Sequence, residues 1–428
     1  MISLLAIASV LLLIVVGLPV SISLALGTII GLVAGGYDLI LLPQQMAASV
    51  KSIELTAIPF VLMAASLMNN LGMTRKIFTF AEALVGHVFG GMGHANVVAG
   101  FIFSGISGAA VADAAALASV STKEMPKLGY SKEFAAAIVV AVSTLGGLIP
   151  PSIMMVVYAI TANVSVARLF LAGLGPAVLI SSLIMALIWV LTRFGFTPSP
   201  APSPFSWSRL ARAGVDAALP LVAPIVIMRG VVTGFATPTQ AAVLAVTYAL
   251  IVGLIQRKLT WKIVMHSLQE AVEQSAIILY VIAISSGLSY LFVAEGTAAQ
   301  LSAAMTSMSI GPVSFLIIAN IILFALGCVV ETLPAMLLAV PLLLPTAIML
   351  GVDPVHFGVI VIFNLLIGYM HPPMGIGLFI LMSIAKVEFV KFVKASLPFI
   401  GVLVFALMML TFFPQLTLWL PNKFLPVN

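Results

Sequence analysis

The residues best placed to do chemistry lie in two short stretches where serine, glycine and acid interrupt apolar sequence. The first, FSGISGAAVAD, puts two serines and two glycines into residues 104–110 and Asp113 three residues beyond. A carboxylate set among hydroxyls and flexible backbone suits a role as ligand or proton carrier. An acid inside a membrane is costly unless it is paired or solvated, which makes it a functional candidate. The alternative reading is that Asp113 caps the helix that begins beside it. The second stretch, GCVVETLP, brings Glu331, Thr332 and Pro334 together with no Lys or Arg near in sequence. That isolation favours cation or proton coupling at Glu331 over a structural salt bridge.

Two further motifs, GGLIPP and GYMHPP, place a Pro-Pro pair inside apolar runs long enough to cross a membrane. Proline removes a backbone donor and clashes with the preceding turn, so a regular helix stops there. Unwound backbone leaves carbonyl oxygens free, and sodium is coordinated by such oxygens in transporters with broken helices. If each serine- or acid-bearing stretch faces the neighbouring break, two sodium sites result. Ser104, Gly105, Ser107 and Gly108 with Gly146, Ile149, Pro150 and Pro151 build the first. Gly327, Glu331 and Thr332 with Gly368, His371, Pro372 and Pro373 build the second. Asp113, Ser143, Thr144, Asn364 and Met374 are the candidate substrate-binding residues, with helix packing equally open for Ser143 and Asn364. Half-helix N-termini around the same point carry partial positive charge and favour a carboxylate-bearing substrate. Of the five histidines, His371 alone adjoins a break; His87, His94, His266 and His356 read as boundary residues.

The elements that must position these residues follow from composition. Of 428 residues, 62% are hydrophobic and only 7% charged, which describes an integral membrane protein. Apolar runs of about 20 residues recur, as membrane helices require. The alternating segments of a β-barrel do not. The fold class is therefore all α, polytopic. Crossings are expected near residues 2–16, 19–35, 56–73, 134–162 and 168–193, and again near 219–235, 238–256, 272–294, 355–384 and 396–420. The N-terminal run lacks the basic region and cleavage site of a secretory signal and reads as a retained first helix. Residues 91–128 and 312–350 read as re-entrant hairpins. With both returning to the side they enter from and the N-terminus outside, all Lys and Arg except Lys51, Arg168, Arg229 and Lys423 fall on the cytoplasmic side. The net charge of +5 thus reports orientation, not a nucleic-acid surface.

A single offset of 222 residues relates Gly105 to Gly327, Gly129 to Gly351, Gly146 to Gly368, Pro150 and Pro151 to Pro372 and Pro373, and Phe170 to Phe392. Each half has five crossings, an odd number, so the halves, 1–196 and 217–428, are expected to be inverted repeats joined by a cytoplasmic linker over 197–216. Cys328 is the lone cysteine and no Cys/His spacing suggests zinc. With neither a phosphate-binding loop nor an H-E-x-x-H helix, uphill transport must draw on an ion gradient.

The segments FSGISGAAVADAAA, GYSKEFAAAIVVAVSTLGGLIPPSIMMVVYA, SVARLFLAG and GVDPVHFGVIVIFNLLIGYMHPPMGIGLFI resemble the large membrane subunit of the tripartite ATP-independent periplasmic (TRAP) transporters, along essentially the whole chain. The resemblance implies a sodium-driven importer of organic acids in the bacterial inner membrane. Its partners would be a periplasmic substrate-binding protein and a small four-helix membrane subunit. It also implies an elevator mechanism, with sodium held at hairpin tips and helix breaks. Family members often carry Asp where this chain has Glu331, and SGAAVADAAA is shared with the branch that includes sialic acid and keto-sugar-acid importers. A stand-alone ion-coupled carboxylate carrier is the runner-up. A membrane enzyme would need paired acids or a metal cluster, and a channel would not need two breaks at mid-membrane.

Overall fold

The computed structural model describes residues 2–200, 202, 204–232, 234–372 and 375–426. Every regular element among them is helical, in agreement with the all-α expectation. The chain opens with α1 (Ile2–Val15), α2 (Val20–Ala34), the short α3 (Leu41–Ser49) and α4 (Ala57–Asn70). The amphipathic α5 (Met73–Val85) leads into a hairpin of α6 (Gly91–Ser107) and α7 (Ala110–Lys127). An interrupted helix follows as α8 (Lys132–Ser143) and α9 (Ile153–Ala162), then α10 (Val166–Arg193). The remainder is α11 (Trp207–Val232), α12 (Pro238–Ile255), α13 (Trp261–Ala294) and α14 (Thr297–Ser307), a second hairpin of α15 (Pro312–Val329) and α16 (Thr332–Met349), a second interrupted helix of α17 (Pro354–Tyr369) and α18 (Ile376–Ala385), then α19 (Phe389–Phe412) and α20 (Gln415–Phe424).

Among the described residues, 8 helical segments are long and apolar enough to cross a membrane, against the ten crossings expected. The difference has a physical origin. Each Pro-Pro break divides one apolar run into two helices, too short to qualify, and α1 and α2 also fall short at 14 and 15 residues. In contrast, α15 and α16 qualify on length although they form a hairpin. The linker is also shorter than expected. Ser206 accepts a hydrogen bond from the Arg209 amide at 3.4 Å, and α11 begins at Trp207, nine residues before the expected end of the linker at 216.

Lipid is as apolar as leucine, so helices in a bilayer associate through close packing and polar contacts rather than through a hydrophobic force. The structure shows both. A Cβ on Gly27 would lie 3.1 Å from the Ala6 carbonyl oxygen, which lets α1 and α2 meet at backbone distance. The Ser3 hydroxyl bonds Thr297, and Tyr37 donates to Glu295 at 2.9 Å, tying this pair to α13 and α14. Asn70 on α4 donates to Ser267 on α13 at 3.0 Å. Helices α11 to α13 thus form one framework with α1, α2 and α4. The hairpins and interrupted helices pack beside it, with the α8 and α17 segments almost wholly buried.

Candidate functional site

The first hairpin turns at Gly108, whose φ of +62° belongs to the left-handed region that glycine tolerates without penalty. Gly108 donates to the Ser104 carbonyl at 3.2 Å and accepts from the Ile153 amide at 3.1 Å, which ties the tip to the start of α9. A Cβ here would strike the Pro151 carbonyl oxygen. Opposite the tip, α8 ends at Ser143, tightens through a 3-10 turn over Thr144–Gly147, and resumes only at Ile153. Between these ends lies Pro150-Pro151, joined by a cis peptide bond. Ser152 caps α9, accepting from the Met155 amide at 3.3 Å.

Asp113 stands between tip and break. It is fully buried, and its two carboxylate oxygens accept from Ser104 and Ser107 separately. A Cβ on Gly146 would fall on this carboxylate and 3.0 Å from the Ala110 nitrogen, so glycine is what lets the break approach the acid. Asp113 does not cap α7. The capping position is Ala109, which makes no side-chain bond. Nor does Asp113 line the cavity described below; it is held by Ser104 and Ser107. Among the described residues no basic side chain forms an ion pair with it. A buried carboxylate and two hydroxyls form an all-oxygen donor set with one formal negative charge, which fits a hard monovalent cation. Of the other residues expected here, Gly105 packs against Pro224 of α11, with Ile149 beside it.

The second hairpin and break meet differently. Gly327 and Gly368 touch backbone to backbone: a Cβ on Gly368 would sit 2.6 Å from the Gly327 carbonyl carbon. The His371 ring bonds the Pro372 carbonyl oxygen, lies 3.5 Å from the Cys328 sulfur and stacks edge-on against Phe324 at 4.7 Å. Glu331 and Thr332 do not join this group. They sit at the start of α16 and line a cavity of about 470 Å³. Pro373 and Met374 lie outside the described residues.

That cavity collects the beginnings of three helices. Ala110, Val111 and Ala112 of α7, Ile153 and Met154 of α9, and Thr332, Leu333 and Pro334 of α16 all line it. Neighbouring helices α8, α10 and α17 carry side-chain caps from Ser131, Ser165 and Asp353. The α7 and α16 starts do not. The first-turn residues of both helices line this common space, and helix starts without side-chain caps favour an anion. Two polar residues of the wall went unrecognised in the sequence, Gln274 of α13 and Tyr369 of α17. The Tyr369 hydroxyl is buried beside Ser143, away from the open part of the cavity. A signal was present for both: Gln274 interrupts an expected crossing, and Tyr369 lies inside the GYMHPP motif.

The donors of the remaining substrate candidates are used in helix structure, while the buried Asn364 Oδ1 has no hydrogen-bond partner. Ser143 donates to the Val140 carbonyl at 2.8 Å and Thr144 to Ala141 at 2.7 Å. Asn364 donates to the Asn320 carbonyl at 2.9 Å and its side-chain oxygen at 2.7 Å, and Asn320 in turn to Thr411 at 2.9 Å, stitching α17, α15 and α19.

Comparison with known proteins gives this geometry a family. Residues 7–416 match the model of the tripartite ATP-independent periplasmic transporter DctM component. The sialic acid TRAP transporter large permease protein SiaM of Vibrio cholerae is 35% identical over 89% of each chain. The C4-dicarboxylate TRAP transporter large permease protein DctM of the same organism is 34% identical over 95% of each. Among solved structures, the YdaH transporter of Alcanivorax borkumensis superposes with a TM-score of 0.59 at 13% identity, covering 84% of this chain and 86% of that one, a likeness of fold alone.

Proposed function

Because this chain belongs to the DctM family of large TRAP transporter permeases, we propose that it is the translocating subunit of a sodium-coupled importer of organic acids in the bacterial inner membrane. A periplasmic binding protein delivers the substrate, and a small four-helix membrane subunit completes the complex. The observation that carries this reading is the convergence of two uncapped helix starts on one cavity, with the buried Asp113 and its two serines directly behind one of them. The cavity suits a carboxylate. The cluster of Asp113, Ser104 and Ser107, with the Pro151 carbonyl close by, would hold sodium. Bound sodium supplies the positive charge that Asp113 otherwise lacks. Since Gly108 belongs to both tip and cavity wall, ion and substrate act on the same turn, which gives them a route to coupling.

The hairpins and interrupted helices form the moving body of an elevator, sliding against the α1, α2, α4 and α11 to α13 framework. The 222-residue offset between the halves, with an odd number of expected crossings in each, supports reading them as inverted repeats. The names of the relatives support an organic acid as substrate. The test is uptake into proteoliposomes holding this chain with its small subunit. Uptake should require both a sodium gradient and the binding protein. Sodium-driven uptake by this chain alone would instead identify the stand-alone carrier.

A further inference from the structure

A second cavity, of about 670 Å³, lies where α11 passes the first hairpin. From α11 it takes Leu221, Pro224, Ile225, Met228, Arg229 and Val232, whose three- and four-residue spacing makes one continuous stripe along the helix. Ile225 is 64% exposed, so this wall belongs to an open groove. Phe101 and Gly105 of α6, Leu171 of α10 and Pro150 of the first break face the stripe, with Phe424 of α20 beside its end. Arg229 is the one charged or polar side chain among the described residues of the lining. Water finds nothing to bond along such a wall, and in a chain that crosses a bilayer the solvent of an open apolar groove is hydrocarbon.

The groove has the length of one leaflet. Its inner part lies at the hairpin tip, where Gly105 packs on Pro224. From Leu221 to Arg229 the helix rises roughly 12 Å, close to half of a hydrocarbon core about 30 Å thick. The Arg229 end carries further marks of a membrane interface. Lys423 lies over the Trp419 ring at 5.3 Å, and Arg168 donates to Asn422 Oδ1 at 2.9 Å and to the Leu425 carbonyl at 2.8 Å. Arg168, Arg229 and Lys423 are three of the four basic residues that the charge asymmetry puts outside.

From the length of this groove and its single charge we infer that it seats a phospholipid of the outer leaflet, with one acyl chain along α11 to the hairpin tip and the phosphate on the Arg229 guanidinium. The guanidinium fork matches phosphate oxygens, and an acyl chain makes the packing contacts that an empty groove would forfeit. A helix of a partner subunit fits less well. It is about 10 Å across, brings no anion to Arg229, and meets walls that close on each other, since a Cβ on Gly105 would lie 3.0 Å from Pro224. The same hairpin tip carries Ser104 and Ser107, so the chain would rest against the back of the acid cluster. The inference needs only a chain that spans the bilayer, and stands apart from the sodium and substrate readings.

The experiment uses the purified full chain, delipidated in a maltoside detergent, and reads the unfolding midpoint and the lipid adduct in native mass spectrometry against added lipid. The probes are dioleoylphosphatidylglycerol, dioleoylphosphatidylethanolamine and dioleoylglycerol. Both phospholipids should raise the midpoint and remain as an adduct. Dioleoylglycerol, with the same chains and no phosphate, should need about tenfold more for the same effect. Arg229→Gln should weaken the phospholipids about tenfold and leave dioleoylglycerol unchanged. Ile225→Trp fills the groove from an exposed position and should abolish the response to all three. Neither change touches a buried side chain, so both variants should unfold like the unaltered protein when lipid is absent. An equal response to dioleoylglycerol and the phospholipids would refute the phosphate seat. An unchanged response in Ile225→Trp would refute the groove as the lipid site. Loss of the adduct when the small subunit is added would give the groove to that subunit and overturn the inference.

Discussion

Replacing Asp113 with Asn tests the buried acid cluster with little change of shape. Each oxygen of the carboxylate accepts one serine hydroxyl, Ser104 on one side and Ser107 on the other, and the residue is 0% exposed. Asparagine keeps the volume but offers one acceptor and one donor group, and it carries no charge. A hydrogen bond to a charged group is worth about 1.5–3 kcal/mol. If sodium binds here, loss of the only formal charge in its donor set should weaken it by a similar amount, about 2–3 kcal/mol. That corresponds to roughly 30- to 150-fold in half-maximal sodium concentration. The assay is the unfolding midpoint of the purified chain as sodium replaces choline at constant ionic strength, which separates specific binding from screening. Ser104→Ala, which keeps the charge and removes one donor, should shift the curve by about tenfold or less. A purely structural Asp113 predicts something else, a lower midpoint at all sodium concentrations with an unmoved sodium dependence. That result would refute the assignment of the cluster to the coupling ion.

Two further outcomes follow from close approaches in the structure. Gly146→Ala should destabilise the protein by about 1–3 kcal/mol and abolish uptake, because its Cβ falls on the Asp113 carboxylate and near the Ala110 backbone. Gly401→Ala in α19, with nothing within 4 Å of the added carbon, is the control and should change neither unfolding nor uptake. Cys328 is the sole cysteine, so maleimide labelling reports on the second hairpin without further engineering. Its sulfur is buried against His371, and labelling should be several-fold faster in choline than in sodium if the ion holds hairpin and break together. Equal rates in both would show that this contact does not respond to sodium.

The sequence made the break motifs legible because proline and glycine act locally: Pro150 and Pro151 keep a regular helix from running through the break, and α9 resumes only at Ile153. The tight turn at residues 104–110 was legible for the same reason, since Gly108 supplies the positive φ. What sequence could not supply was which polar groups meet. Asp113 read equally well as a cap or as a functional acid, and only the fold puts Ser104 and Ser107 on its two oxygens. Asn364 lies on a helix that leads to a break, yet its amide is taken by Asn320 on a neighbouring helix 44 positions away in the chain. Tyr369, inside a break motif, and Gln274, inside an expected crossing, carried local signals that did not say what they would meet. Their role depends on a cavity assembled from distant segments.

The two hairpin–break pairs share their glycines but not their chemistry, and this difference bears on mechanism. At the first, the acid lies behind the tip, sealed by Ser104, Ser107 and Gly146, while the tip backbone faces the cavity. At the second, the acid is Glu331 on the cavity side, and the contact behind it is Gly327 against Gly368 with Cys328 and His371 alongside. A cation at the first locus would bind a fixed charge already desolvated by folding, so binding should relieve a cost already present in the protein. At the second, the charge remains at the cavity and can be neutralised by whatever enters there. An ion at the first locus would therefore order the turn that carries the start of α7, whereas Glu331 lines the cavity that a substrate would enter. The order this suggests, sodium at the first hairpin before the organic acid, follows from which side of each tip carries the acid.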